Sequence, residues 1–217
     1  MKNILPKVHA IPMNLENLNN SFFFPRGDEQ LLSGVLQVTR GTAMILDETV
    51  MEEGTLLDKG LKNLKAVSDV SLYQTLNYVF PFNVLEFQTD ISLLIVSHGN
   101  SLVPVDCAVT LKSESSVELL TELTQEQFAS FRKYISIFRL TEYTLPEEMA
   151  KEIETEFMEQ RKAATAAGTS LITPNELAFR ISLARLVALS KGEQTLTKQS
   201  WDHAVSLSEQ IKDRSKQ

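Results

Sequence analysis

The apolar positions of this chain change their period near its middle. Up to about Leu111 they come as short runs between turns: Gly34-Val35-Leu36-Gln37-Val38, Ala43-Met44-Ile45-Leu46 and Ile91-Ser92-Leu93-Leu94-Ile95-Val96. Runs of this length with little polar alternation predict strands covered on both faces, as in an α/β sheet. The turn Thr39-Arg40-Gly41 divides the first two, and Gly99 closes the third. Between them, Leu56 to Val67 predicts a helix carrying Leu57, Leu61 and Leu64 on one face. Ser71 to Phe87, rich in Tyr, Phe and Val, predicts a hairpin or an irregular insertion.

After Thr124 the spacing becomes helical, and each helix carries its own start signal. Thr124 is followed at the third position by Gln127, and Thr144 by Glu147. Thr173-Pro174-Asn175-Glu176 combines a cap, a proline at the first helical position and a returning acid. Thr197 opens the last helix, and Gly168 and Gly192 stand where the second and third should stop. Phe128, Phe131, Ile135 and Phe138 share one face; so do Met149, Ile153 and Phe157, and Leu177, Ile181, Ala184 and Val187. Trp201, Ala204 and Val205 line the fourth helix, with Leu207 off that face. Such stripes predict core. The fold class is therefore α/β followed by α-helical: residues 1–111, a linker at 112–123 around Lys112-Ser113-Glu114-Ser115-Ser116, and a four-helix domain at 124–214. No heptad pattern persists and no internal repeat is present.

The 217 residues hold ample apolar material, 43% hydrophobic against 23% charged, as in ordinary globular proteins. A net charge of -7 without a sustained Lys/Arg tract argues against nucleic acid as the main ligand. The basic tail at Lys212, Arg214 and Lys216 reads as a solvated helix end. Cys107 is the sole cysteine, so no internal disulfide forms and a reducing compartment fits. Without a neighbouring base it reads as a small buried hydrophobe. His9, His98 and His203 lack metal-ligand spacing, so no metal site is expected on His or Cys. No apolar run approaches the ~20 residues that span a bilayer. Met1-Lys2-Asn3-Ile4-Leu5-Pro6 lacks a signal-peptide core, which predicts a soluble, intracellular chain.

The candidate chemistry lies at Asp47-Glu48, where the run Ala43 to Leu46 ends in adjacent carboxylates. In phosphate-handling ATPases such a pair serves the Mg²⁺ shell and the attacking water. No G-x-x-x-x-G-K-[ST] loop occurs in the chain to cradle phosphates. Two readings stand: an ATPase-like shell without hydrolysis, or two acids that simply end a strand.

Leu46-Asp47-Glu48-Thr49 with Glu52-Glu53-Gly54-Thr55-Leu56 resembles a signature of the mini-chromosome maintenance complex-binding protein family. Ser101-Leu102-Val103-Pro104-Val105-Asp106-Cys107 and Ile137-Phe138-Arg139-Leu140-Thr141-Glu142-Tyr143 match further along. Phe157-Met158-Glu159-Gln160-Arg161-Lys162 and Leu183-Ala184-Arg185-Leu186-Val187-Ala188-Leu189-Ser190 extend the likeness over most of the chain. The chain is more distantly similar to the ATPase half of the replicative helicase subunits. The resemblance implies a partial, degenerate AAA+-like α/β domain with a lid-like helical domain, the C-terminal portion of a longer protein or a short gene product.

By that resemblance Asp47 and Glu48 form a degenerate Walker B-like pair. Pro104 falls at the arginine-finger position and Asn175 at the lid arginine. The sensor asparagine falls at about His98, with Asn100 two residues beyond. Neither proline nor asparagine can stabilise a transferring phosphoryl group as a guanidinium does. The implied protein is a nuclear, non-catalytic binder of mini-chromosome maintenance helicase subunits, without cofactor, metal, nucleic-acid or membrane partner. Its implied roles are helicase assembly, protection or unloading in DNA replication, the cell cycle and sister chromatid cohesion. The alternative is a divergent Mg-dependent AAA+ ATPase whose P-loop lies outside this chain.

Overall fold

The computed structural model describes residues 3–27, 30–111, 123–168 and 171–215. The expected linker at 112–123 lies outside the described residues apart from Leu123, as does Lys216 of the basic tail. The chain divides into two compact units, Met1–Asp106 and Cys107–Gln217. Among the described residues it is mixed α/β, with two small sheets in the first unit and helices dominating the second.

The first unit runs β1 (Val8–Pro12), α1 (Leu15–Asn20), β2 (Arg26–Gly27), β3 (Leu31–Leu32), β4 (Thr42–Asp47), α2 (Asp58–Tyr73), β5 (Thr75–Val79), β6 (Val84–Gln88) and β7 (Ile91–Val96). One sheet has the order β1-β4-β7, all parallel, with Leu46 of β4 facing Ile11 on one side and Ile95 on the other. The other sheet has the order β3-β2-β5-β6; of the two forms expected for Ser71 to Phe87 the hairpin is found, as β5 with β6, beginning only at Thr75 because α2 continues through Tyr73.

Cover on both faces of the apolar strands is not what forms. Along β4, Thr42, Met44 and Leu46 are buried while Ala43, Ile45 and Asp47 are half-exposed. On β7 Leu94 and Val96 point outward and are exposed. Successive strand residues face opposite sides, so the buried set lies on one face, in the same cluster as Ala66, Val67 and Val70 of α2.

Gly34 to Val38 is a turn rather than a strand. Val35 and Leu36 donate their N–H groups to the carbonyls of Phe22 and Phe23 at 3.0 and 2.9 Å. Glycine is needed there, because a Cβ on Gly34 would meet the Phe23 and Phe24 backbone at 2.4–2.7 Å. β1, from before the expected strands, takes the place beside β4, and Leu36 still reaches the core.

The helix expected over Leu56 to Val67 forms as α2, but with a different buried face. Gly60, Asn63, Ala66, Val67 and Val70 are buried, whereas Leu57 and Leu61 are 59% and 54% exposed. The cause is close approach to α1: a Cβ on Gly60 would lie 2.4 Å from the Asn19 amide oxygen. The contact face therefore takes small and amide side chains. Gln74, in the left-handed region at φ 53, ends α2 and bonds both the N–H and the carbonyl of Ile91 through its side chain.

The second unit contains α3 (Gln125–Leu140), α4 (Glu147–Ala167), α5 (Pro174–Ser190) and α6 (Lys198–Ser215). Thr124 and Thr173 form the expected capping boxes with Gln127 and Glu176, and Gly168 ends α4 at φ 63. α5 ends at Ser190, capped by Lys191 just before Gly192 at φ 78. Thr144 does not cap a helix. Its backbone N–H bonds the Gln194 carbonyl at 2.9 Å, it bridges Thr195, and Pro146 caps α4 instead. A residue before a proline-led start is biased to extended backbone, which moves the start downstream.

The core of this unit gathers Ile153, Ala184, Val187, Ala188, Leu196, Trp201 and Ala204, with Met149, Leu177 and Ile181 against it. Leu207 also packs there beside Val205, so the covered arc of α6 is wider than one stripe. α3 departs from expectation: none of its residues is buried, and Phe131 is 42% exposed. The core closes on residues of α4, α5 and α6 and the segments beside them without using the phenylalanine face of α3.

At the start of α5, Thr173 Oγ1 accepts from the Glu176 N–H at 3.2 Å, and the Glu176 carboxylate accepts from the Thr173 N–H at 2.9 Å. Thr173→Ala is expected to cost about 1 kcal/mol, read as a lower denaturation midpoint. An unchanged midpoint would remove Thr173 as an energetically significant cap. The hydrogen bond from Lys212, at 2.6 Å, holds the Glu176 carboxyl below its ordinary range, with the Thr173 N–H adding to it. A depressed carboxyl stabilises the fold above its unfolded pKa, and that contribution is lost as pH falls through the folded value. Acidification should therefore lower the melting midpoint more in the native chain than in Glu176→Gln; parallel curves would contradict this.

Candidate functional site

Asp47 and Glu48 sit where β4 leaves the parallel sheet. The strand alternation continues through them, so Asp47 is half-buried and Glu48 is 6% exposed. Their backbone is fixed by the neighbouring chain: Met13 donates to the Asp47 carbonyl and Glu48 donates to the Val96 carbonyl, each at 2.8 Å.

The Asp47 carboxylate turns back on its own chain. Its Oδ1 accepts from the Thr49 N–H at 3.0 Å and from the Thr49 hydroxyl at 2.5 Å, closing a turn after the strand. The Glu48 carboxylate reaches the loop after β7. It accepts from the Ser101 hydroxyl at 3.1 Å and from the Leu102 N–H at 3.2 and 3.3 Å. Such charge-assisted bonds are how a buried carboxylate is tolerated.

The loop is tied at two further points. Val103 is 2% exposed in the core, and the Pro104 carbonyl accepts from the Ser71 hydroxyl of α2 at 2.6 Å. Glu48 and Pro104, named from sequence for ATPase positions, thus meet in one structural feature: a loop clamped between the tip of β4 and α2. His98 and Asn100 lie exposed in the turn leading to it.

Asn175 lies in the second unit, exposed at the second residue of α5 between Pro174 and Glu176. Cys107 is exposed rather than buried, in a stretch, residues 105–111, that belongs to no helix or strand. Among the described residues no three His, Cys, Asp or Glu side chains gather as a metal site. Among them, too, no helix is long and apolar enough to cross a membrane.

Sequence reasoning missed two features of the first unit. Asn63 is fully buried and joins three backbone groups: it accepts from the Phe23 N–H at 3.0 Å and donates to the Leu18 and Ser21 carbonyls at 2.7 and 2.9 Å. A groove of about 880 Å³ also opens beside α2, lined by Arg26, Lys59, Lys62 and Lys65 with Phe24 and Val79. The recurrence of lysine every third residue from Lys59 to Lys65 was its sequence signal.

The family model described as Mini-chromosome maintenance replisome factor matches residues 1–215. The chain is 34% identical to "Mini-chromosome maintenance complex-binding protein" of Gallus gallus over 95% of its own length and 34% of that protein's. It is 31% identical to the protein of the same description from Homo sapiens, over 95% of this chain and 33% of that one. For Arabidopsis thaliana the identity is 30%, over 100% and 36%. The chain spans about a third of the length of these curated relatives.

Proposed function

This chain belongs to the Mini-chromosome maintenance replisome factor family, and from that premise we propose that it is a non-catalytic binding protein of the replicative mini-chromosome maintenance helicase. In this reading it acts on helicase subunits in the nucleus, in their assembly, protection or unloading during DNA replication. Effects on the cell cycle and on sister chromatid cohesion would follow from that action. Its first unit is a degenerate AAA+-like domain and its helical unit the counterpart of a lid. Such a module offers an intersubunit-type surface without supplying chemistry, and binding there competes with a neighbouring subunit.

One observation supports the non-catalytic reading above the others. The Glu48 carboxylate, the acid that would orient a water, is occupied by Ser101 and Leu102. Its bonds hold a loop that carries Pro104 where a cation would be needed. Carboxylates serving as structural acceptors need no nucleotide.

The double replacement Asp47→Asn, Glu48→Gln separates the two kinds of role. Both changes keep size and an acceptor oxygen while removing charge. Helicase-subunit affinity should move by at most about 1 kcal/mol. The denaturation midpoint should fall by about 1–2 kcal/mol equivalent, because the Leu102 N–H loses a charged acceptor. Mg²⁺-dependent ATP turnover by the native protein that drops by orders of magnitude in the variant would reject this proposal.

A further inference from the structure

We propose that the groove between α2 and the β2–β5 part of the second sheet is a docking site for an extended, acidic segment of a partner protein bearing an apolar anchor residue. The partner is defined here by that chemistry.

The groove, about 880 Å³, is large enough for several side chains and has an apolar floor. Phe24 and Ala66, 8% and 9% exposed, belong to the core beneath it, and Leu32, Val79, Phe80 and Val84 add to the apolar lining. Over this floor stand the basic groups. Lys59, Lys62 and Lys65 follow one another along α2, which spreads them over about 9 Å of helix axis. Alternate residues of an extended peptide are about 6.6 Å apart, so a pair of carboxylates at alternate positions fits within the span of the three lysines.

Charge favours such an occupant. Among the described residues, Arg26, Lys59, Lys62 and Lys65 line the groove with two acids, Asp58 and Asp69, in a chain whose net charge is -7. Among the described residues the ion pairs all lie in the second unit, so none neutralises these four. The Arg26 guanidinium rests 3.5 Å from the Phe22 ring centre, and its buried Nε has no hydrogen-bond partner among the described residues. Lys59 Nζ lies 4.0 Å from the same ring centre and donates to the Asn20 carbonyl. Two cations thus stand over Phe22, which removes an aromatic face on which a nucleobase would stack. The remaining apolar lining suits a Leu or Phe anchor, and the flanking cations suit Asp and Glu.

Selection of displayed random linear peptides on the whole chain tests this, followed by anisotropy titration of the selected peptides. Lys62→Glu with Lys65→Glu serves as the variant, since both side chains are exposed and their reversal should leave the melting midpoint intact. The selected peptides should place Asp or Glu at alternating positions around Phe or Leu. Their affinity should fall about tenfold or more in the variant and weaken as salt rises. Three results would overturn the proposal: no enriched sequence, enriched peptides that lack acids or bind the variant equally, or an oligothymidylate that binds this groove more tightly than the peptides do.

Discussion

Trp201→Ala is expected to lower the stability of the chain by about 3–5 kcal/mol. The indole is 2% exposed and sits in one cluster with Ile153, Ala184, Val187, Ala188 and Leu196. It therefore ties α6 to α4 and α5. Its Nε1–H also donates to Glu156 Oε2 of α4 at 3.0 Å.

The same carboxylate is bound by Lys198 at 3.2 Å, and Lys198 also pairs with Glu152 and Asp202. Burial alone would lower the Lys198 ammonium, but the hydrogen bonds it donates to Glu152 and Glu156, helped by the charges of Glu156 and Asp202, hold it above its ordinary range. Glu156 thus keeps a cationic partner when the indole is removed, so the loss is mainly that of packing. Trp201→Phe, which keeps a ring and forfeits the N–H, should cost clearly less. Equilibrium denaturation of the three proteins checks this ordering. A midpoint unchanged in Trp201→Ala would mean that the indole contributes no core energy.

Asn63→Ala should cost about 3 kcal/mol or more. The amide is fully buried, and its removal leaves the Phe23 N–H and the Leu18 and Ser21 carbonyls without the partner they have. Each orphaned buried group costs about 1–3 kcal/mol. Asn63→Leu fills the volume without restoring a bond, so it should be nearly as damaging. Amide exchange at Phe23 gives the local readout: slow in the native chain and markedly faster in both variants. A loss under about 1 kcal/mol would show that water substitutes for the amide.

These two residues mark where the sequence could and could not be read. Trp201 was visible as core because an aromatic at helical spacing from Ala204 and Val205 has few other uses. The capping boxes at Thr124 and Thr173 were legible for a related reason: the cap and its returning side chain are three residues apart, so the whole device is local. Thr144 carried the same local signal, yet Pro146 and pairing with the Gln194–Thr195 segment decided the outcome.

Nonlocal contacts explain the other differences. The leucines of α2 advertised a face, but close approach to α1 selected Gly60 and Asn63 for burial and left Leu57 and Leu61 outside. Gly34 to Val38 had strand composition, but the turn is fixed by carbonyls of Phe22 and Phe23. At the candidate site the carboxylate pair was plain in the chain. Its partners were not, because Ser101 lies 53 residues from Glu48 and nothing local announces that bond.

The most direct measurement is a titration of this chain against each isolated helicase subunit and against the closed ring, at fixed salt, with and without ATP. A non-catalytic binder should attach to isolated subunits or open subcomplexes without nucleotide, and more weakly to the closed ring. In the proposed reading Pro104 and Asn175 stand where the resemblance places nucleotide-contacting arginines, and attraction comes from protein surface, about 1,200–2,000 Å² in total for a specific complex. Binding to no subunit, or binding only when ATP is present, would contradict it.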